Sequence, residues 1–519
     1  MKTLASYDEL PYDRLPFPET EPDFLAALAR LHGFEAADAR TSRILELGCA
    51  QGGNLIPMAA RHPDSEFVGV DLSRVQVEEG RAFIAQAGLA NIRLLHGDIA
   101  ALPHPGPLPQ AGEGDAASLR AAHVDDLGEF DFIIAHGVYS WVPDAVRAAL
   151  LAACRERLRP QGIAYVSFNV AAGWRTYGRL RELLMQHDDS RLGPMQRVER
   201  ARSVLASASF DDERLRREAD YLKNASASYV FHEYLSDINQ PFAFLQFVGD
   251  AAGHGLRYLG EAGSRRARVA LEDDWGLSAE SRYERWLEAE AALDDALDTR
   301  FRRALLVRDD SSLPQPQRAE LLKTLAFSAD LSSEDELDFA EPCEQHFMTS
   351  AGERLPANHP LLKAFLVALT GVHPQVKAYE DAAAAALQLA REYGYRGEAG
   401  DAFLEALLDF VQMQGVRPHG FIPPHTETSA ELPRATALAR AQAAMPGWPV
   451  TNAFHLALDV DEWGRRLLVS MDGSLSIDAL GRVLQRGLGE AGIQAAPEQA
   501  EAHVQACVAF FRRQGLLGW

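Results

Sequence analysis

The stretch Arg43–Met58, RILELGCAQGGNLIPM, constrains this chain more than any other. An apolar strand (Ile44, Leu45, Leu47) empties through a turn of small residues into the start of a helix. In parallel α/β sheets such a turn aims backbone N–H groups and the positive end of a helix dipole at a bound group. A dinucleotide fingerprint needs a glycine in the middle of G-x-G-x-x-G, where the backbone approaches a pyrophosphate. Here the three positions are Gly48, Ala50 and Gly53, so the middle one carries a methyl group. A phosphate-binding P-loop is excluded as well, because no lysine follows these glycines. Glu46, two residues before Gly48, would repel a phosphate and suits a cation. S-adenosylmethionine (SAM) carries an amine and a sulfonium and no phosphate, so the loop reads as a SAM cradle. An ordinary buried strand–turn–helix is the alternative.

Two further acids fall where such a cradle needs them. EFVGVD is a second strand ending at Asp71, where ribose hydroxyls are gripped, with Leu72 following. Its alternative role is to cap the next helix. IRLLHGD is a third strand, and Asp98 at its end suits an adenine amino group, the backbone of Ile99 reading the ring. The fourth strand, EFDFIIAHG, is an apolar run bounded by Asp131 and Gly137, as a strand buried on both faces should be. Acceptor chemistry belongs at its exit. The N/D-P-P-Y/F tetrapeptide that holds a planar nitrogen is missing there, and His136, Tyr139 and Trp141 form a polar-aromatic lip instead. Core packing is the other reading of Trp141, and His136 could serve the cofactor as readily as a proton.

With 519 residues the chain should hold two to four domains. Its net charge of −23 argues against a duplex nucleic-acid partner and suits a basic one. Cys49, Cys154, Cys343 and Cys507 are scattered, which points to neither a disulfide framework nor a zinc site, and no metal is expected. The N-terminus has no apolar h-region and no apolar run approaches eighteen residues, so a cytoplasmic protein without membrane insertion is expected. Residues 6–22 are too rich in proline and acid for a regular element, but Tyr7, Tyr12 and Phe17 recur there and should pack on the body. Residues 103–128 break the α/β rhythm and read as a mobile surface insertion. IAYVSFNV is strand five; LRYLGEA and FRRALLVR read as strands six and seven, with helical matter inserted at about 175–235 and 264–298. That arrangement brings His232, Glu233 and Tyr234 of YVFHEYLSDINQP near the active edge. Beyond about 310 a β-hairpin and long helices suggest a middle domain (311–430), and 431–519 reads as winged-helix-like, with acids and bases nearly balanced.

SYDELPY, ELGCAQGGNLIPMA, GVDLS, FDFIIAHGVYSWVP and FHEYLSDINQPFAFLQF…HGLRYLGEA together resemble the bacterial class I SAM methyltransferases that carry a methyltransferase regulatory domain. Their described members are the rickettsial-type protein lysine methyltransferases. The resemblance implies a seven-stranded Rossmann-like sheet with helical insertions (1–310, regulatory insert at about 175–298), followed by α+β middle and winged-helix-like C-terminal domains. It implies S-adenosyl-L-methionine as cofactor, with Tyr12, Glu46, Gly48, Cys49, Ala50, Gly52, Asn54, Asp71, Leu72, Asp98, Ile99, His136 and Gly137 as cofactor-binding candidates. His136, Tyr139 and Trp141 are the catalytic candidates. A homodimer and a protein substrate methylated on a lysine amine are implied too. A small-molecule or RNA acceptor, or a SAM-binding sensor without turnover, are the alternatives. The chain departs from the family pattern in the 103–128 insertion and in FNVAAGW, where a YNxYPGW-like stretch is usual.

Overall fold

The computed structural model describes residues 10–102, 127–263, 277–424 and 431–518. The insertion expected at 103–128 lies, apart from its last two residues, outside the described residues. Seven strands form one sheet: β1 (Arg43–Leu47), β2 (Glu66–Asp71), β3 (Ile92–His96), β4 (Phe130–Ala135), β5 (Leu158–Asn169), β6 (Leu256–Glu261) and β7 (Phe301–Arg308). Their order is β3-β2-β1-β4-β5-β7-β6. The first five run parallel, while β7 is antiparallel to both β5 and β6. The carboxyl ends of β1, β2, β4 and β5 therefore meet the amino end of β7 along one edge. The strands read as six and seven do belong to this sheet.

Side chains alternate between two apolar cores, as strand geometry requires. Leu45, Val68, Ile133, Val166 and Leu306 face Leu150, Leu151, Phe247 and Trp286. Ile44, Phe67, Phe132, Tyr165 and Leu305 face the other way, onto Phe24 and Leu28 of the helix Pro22–Leu31. Proline opens that helix and the Glu21 carboxylate accepts the Phe24 N–H, the usual remedy for orphan donors at a helix start. This second core continues into Phe327, Phe365, Leu366 and Phe403, so the segment after β7 shares it. That segment contains the hairpin β10 (Gln345–Thr349) and β11 (Arg354–Ala357) and the helices Pro360–Thr370, Tyr379–Glu392 and Asp401–Gln412.

The helices inserted after β5 (Ala171–Gln186, Pro194–Ser207, Glu213–Asn224) close a separate small core around Leu184, Val198, Leu222 and Phe231. The last segment does likewise around Leu467, Leu480, Val504 and Phe511. Its helices are Ala437–Ala444, Glu462–Ser470, Ile477–Glu490 and Pro497–Arg513, beside a short antiparallel pair, β14 (Val450–Thr451) and β15 (Ala457–Leu458). Glu462–Ser470 follows directly on the piece read from sequence as extended. Among the described residues no helix is long and apolar enough to cross a membrane.

One buried cation pins the C-terminal part of the sheet. Arg302 of β7 lies 2.9 Å from Asp294, 3.2 Å from Glu290 and 3.4 Å from Glu261, over the Phe244 ring. Asp294 and Glu290 belong to the helix Ala279–Leu297 and Glu261 to β6, so one guanidinium joins three elements. Removing one member of a buried ion cluster costs about 3–5 kcal/mol because its partners keep their charge without compensation. Arg302→Leu is therefore expected to lower the melting temperature strongly, as calorimetry would record; an unchanged melting curve would contradict this role.

Candidate functional site

The turn after β1 is built on left-handed backbone. Gly48 has φ +79° and its N–H donates to the Val70 carbonyl at 2.8 Å. A side chain there would also meet Val138 at 2.6 Å, so only glycine fits. Ala50 takes φ +49° despite its methyl group and is held by its N–H donating to Asp71 Oδ2 at 2.8 Å. Gly52 (φ +80°) donates its N–H to the Cys49 carbonyl at 2.8 Å. At Gly53 a Cβ would lie 2.6 Å from the Arg14 backbone, because residues 10–20 cross over the turn as a strap.

Glu46 stands behind this turn, 4% exposed. Its Oε1 accepts from Asn54 Nδ2 at 2.8 Å, while Oε2 is buried with no hydrogen-bond partner among the described residues. Burial, reinforced by the charge of Asp71, pushes its carboxyl up to about 7. A buried, half-satisfied acid calls for a donor, and an ammonium would supply one. Asn54 itself does not reach a ligand. It is 5% exposed, and its Oδ1 accepts from the Phe17 N–H (2.9 Å) and pairs with His455 Nε2 (2.8 Å). Its Nδ2 also donates to Thr20 Oγ1 at 3.0 Å. The expectation of a direct cofactor contact from Asn54 is corrected: its amide is consumed in joining Glu46, the strap and the C-terminal segment.

Asp71 accepts the Ala50 N–H on one oxygen and the Ser73 N–H (2.8 Å) on the other. The helix cap is Ser73, whose hydroxyl accepts the Gln76 N–H, so Asp71 ties the β1 turn to the β2 exit. Asp98 is exposed and its Oδ1 accepts the Ala100 N–H at 2.9 Å, shaping the short turn Ile99–Ala101. Leu72 is exposed beside them. Cys49 is buried, and burial pushes its thiol well up, so it contributes backbone and packing rather than a thiolate. Gly137 (φ +66°) faces open space and donates its N–H to Ser167 Oγ at 2.8 Å.

His136 leaves β4 onto the same edge. Its Nδ1 pairs with the Tyr165 hydroxyl at 2.8 Å, and the ring stacks on Phe17 with centroids 3.8 Å apart. Burial pushes the imidazole down to about 4, although the Glu19 carboxylate nearby opposes that. It is neutral near pH 7 and is a poor proton acceptor there. Tyr12 stacks on His232 (4.0 Å), whose Nε2 pairs with the Leu10 carbonyl at 2.7 Å. The strap thus spans from His136 at the cradle to His232 at the inserted helices.

Tyr139 is misplaced in the sequence reading. It is 1% exposed, packs on Phe242 and Phe247, and donates its hydroxyl to Asp250 Oδ2 at 3.1 Å. It is core and cannot form part of a lip. Trp141, 7% exposed, stands outside that cluster, and its indole N–H has no partner among the described residues. Sequence reasoning missed Phe17, Asn169 and His455 as parts of this place. The recurring aromatics of the strap were the signal for Phe17; nothing in the sequence signalled His455.

Comparison with known proteins places these features in a family. Residues 45–164 match the family described as a methyltransferase domain, and residues 226–308 the one described as a predicted methyltransferase regulatory domain. The uncharacterized protein RP028 of Rickettsia prowazekii is 33% identical over 263 residues, 49% of this chain and 96% of that protein. RP789 of the same organism is 33% identical over 312 residues, 59% of this chain and 53% of its own length. With sll1526 of Synechocystis the figures are 24% over 302 residues, 54% of each. The chain thus spans about half the length of two of these relatives. The structure of PKMT2 from Rickettsia typhi in complex with AdoHcy superposes with a TM-score of 0.78 at 24% identity, over 98% of this chain and 100% of that one.

The placement of Tyr139 has a direct check. Tyr139→Phe should cost about 1 kcal/mol, the scale of one net hydrogen bond, and Tyr139→Ala about 3–5 kcal/mol, the scale of an emptied aromatic site. Thermal melting reads both; a residue lining an open lip would leave the melting temperature where it was.

Proposed function

Because the chain belongs to the SAM-dependent methyltransferases that carry a methyltransferase regulatory domain, we propose that it methylates lysine side-chain amines of a protein substrate. The observation that carries the cofactor side is the unpartnered Glu46 Oε2 behind a left-handed glycine turn, an anionic, phosphate-averse seat for the amine of SAM. SAM supplies an electrophilic methyl group when bound. Backbone groups of Gly48, Cys49 and Ala50 would line it. Asp71, each of whose carboxylate oxygens has lone pairs beyond the backbone N–H it accepts, would take ribose hydroxyls. Asp98, Ile99 and Leu72 would flank the adenine, and neutral His136 would support the site by shape and by its hydrogen bond to Tyr165.

On the acceptor side, support comes from the resemblance to rickettsial-type lysine methyltransferases, from the likeness to the PKMT2 fold and from a net charge of −23 that suits a basic partner. An amine needs little covalent help to attack a methyl sulfonium; it needs alignment and the loss of its proton. Trp141 would give one wall of that channel, where a desolvated ammonium can rest against an indole face. The homodimer and the cytoplasmic location implied by the sequence belong to the same proposal, and sedimentation tests the first.

The carboxyl of Glu46 sets the pH response of cofactor binding. Its folded-state pKa, about 7, lies above the model value of 4.5. Its protonation therefore favours the ligand-free fold below about 4.5, and that contribution is lost as pH rises through about 7. A cationic amine prefers the ionised form, so SAM affinity should rise between pH 6 and 8. Glu46→Gln should bind more weakly and without that slope; calorimetry across this range decides.

For turnover, a bacterial lysate incubated with the protein and methyl-labelled SAM should yield label in methyl-lysine after acid hydrolysis. Trp141→Ala should incorporate at least tenfold less, about 1.4 kcal/mol per tenfold, with SAM affinity retained. Label in RNA or in small molecules would replace the lysine reading, and no transfer at all would favour a sensor.

A further inference from the structure

The acceptor side of the sheet edge holds a carboxylate that nothing so far has used. Asn169, the last residue of β5, is paired across the sheet with Phe301, the first residue of β7. The Phe301 ring lies edge-on to His136 at 6.0 Å, so Asn169 shares the edge on which the cofactor loop opens. The Asn169 side chain donates to Asn239 Oδ1 at 2.8 Å, and the Asn239 amide donates to the Glu233 carbonyl at 2.9 Å. Glu233 sits in a single π-helical turn, Val230–Tyr234, within the stretch that matches the regulatory domain. Such turns recur at functional sites, where they re-aim side chains.

The other polar groups around this turn are already engaged. His232 is stacked by Tyr12 and paired with the Leu10 carbonyl. Arg300 holds Glu218 at 2.9 Å, the Tyr229 hydroxyl at 3.1 Å and the Tyr234 hydroxyl at 2.9 Å. Arg181 donates to the Ser236 carbonyl. Glu233 alone keeps its carboxylate, half-buried, with no cation at ion-pair distance among the described residues. The segment that carries it also closes on the strap, through Tyr12, whose other end, Phe17, lies on His136.

We propose that Glu233 is the acceptor-side carboxylate: it receives the substrate ammonium and takes up the proton that must leave before attack. This rests on the lysine reading given above. The ammonium gives one proton to the Glu233 carboxylate and becomes a neutral amine. The amine lone pair then forms the N–C bond as the S–C bond breaks, and that electron pair stays on sulfur as a thioether. Glu233 afterwards returns its proton to water.

The electrostatics agree with the geometry. Burial pushes Glu233 up to about 7, Arg300 and Arg181 restrain the rise, the Glu218 carboxylate adds to it, and Asn169 opposes it by hydrogen bonding. His232, in the same turn, is pushed down by burial and stays neutral. Asp237 faces Arg181. An acid at about 7 is nearer to an ammonium in basicity than an exposed carboxylate is, which makes it a better proton acceptor for it. Below that pH Glu233 is protonated and cannot act, so transfer should rise as pH passes through about 7.

The test uses the full chain, methyl-labelled SAM and bacterial lysate proteins as acceptor. Glu233→Gln is expected to lower label in methyl-lysine at least tenfold and to remove the limb near pH 7. SAM affinity by calorimetry should stay within twofold, and Glu233→Asp should recover part of the rate. Difference infrared spectroscopy gives a readout apart from turnover: a protonated-carboxyl band titrating near pH 7, reduced in Glu233→Gln and reduced again when Glu46→Gln is added. If methyl-lysine forms and Glu233→Gln matches the parent in rate and pH profile, or if its infrared band is unaltered, the proposal is overturned while the lysine reading stands. If the parent places no label in lysine, both fall.

Discussion

The side-chain amide of Asn54 is where the molecule is joined. It accepts from the strap at Phe17, pairs with His455 of the C-terminal segment and donates to Glu46 behind the cofactor turn, all within 3.0 Å. Each link satisfies a polar group that would otherwise be buried unpaired, which is the costly condition in a low-dielectric interior. Close by, Glu21 is fully buried between Arg61 (3.2 Å), His62 (2.7 Å) and Arg417 (3.7 Å). Burial alone would raise its carboxyl, but those partners outweigh it and hold the acid well below the usual carboxylate range. Asp23 accepts from Gly420 N–H at 2.8 Å and pairs with His419 at 3.0 Å. A helix that looks from sequence like a simple amphipathic element is thus fixed to the second half of the chain by buried polar chemistry as well as by Phe24 and Leu28.

The cofactor half of the site and the acceptor half are built on different principles. Around the turn after β1 the backbone does the shaping, through positive φ angles and carboxylates that accept N–H groups, and little side-chain chemistry is exposed. At the exits of β5 and β7 the side chains do it, through a network of Arg300, Glu218, Tyr229 and Tyr234 that leaves one acid over. The strap links the two halves through ring stacking at either end. Neutral histidines suit that task, because burial holds both His136 and His232 down and keeps their rings uncharged against aromatic partners.

Much of the fold could be read from residue pattern alone. The apolar runs bounded by Asp71, Asp98 and Gly137 are strands β2, β3 and β4, and LRYLGE and FRRALLVR proved to be β6 and β7 because a two-residue period survives in them even beside long helical insertions. The turn glycines were legible because steric need for positive φ is a local property. Tyr139 was not, since an aromatic residue after a strand looks the same whether it turns to the cavity or to the core, and Asp250, its partner, is 111 residues away. Asn54 was taken for a ligand contact because family position said so, and the groups that occupy it come from 37 and 401 residues away. Contacts of that range leave no periodic trace in a sequence.

The core shared between the sheet and the segment after β7 alters what counts as a unit of inheritance here. Phe327, Phe365, Leu366 and Phe403 finish the same apolar cluster that Ile44, Phe67 and Phe132 begin. A truncation at the end of the recognisable α/β half would leave that face of the sheet wet, at about 25 cal/mol for each Å² of apolar surface uncovered. The helices inserted after β5 and the C-terminal helices, which close clusters of their own, are under no such tie. Recombination could therefore exchange those two parts between relatives far more freely than it could separate the sheet from residues 311–424, although the motifs that identify the chain all lie on one side of that line.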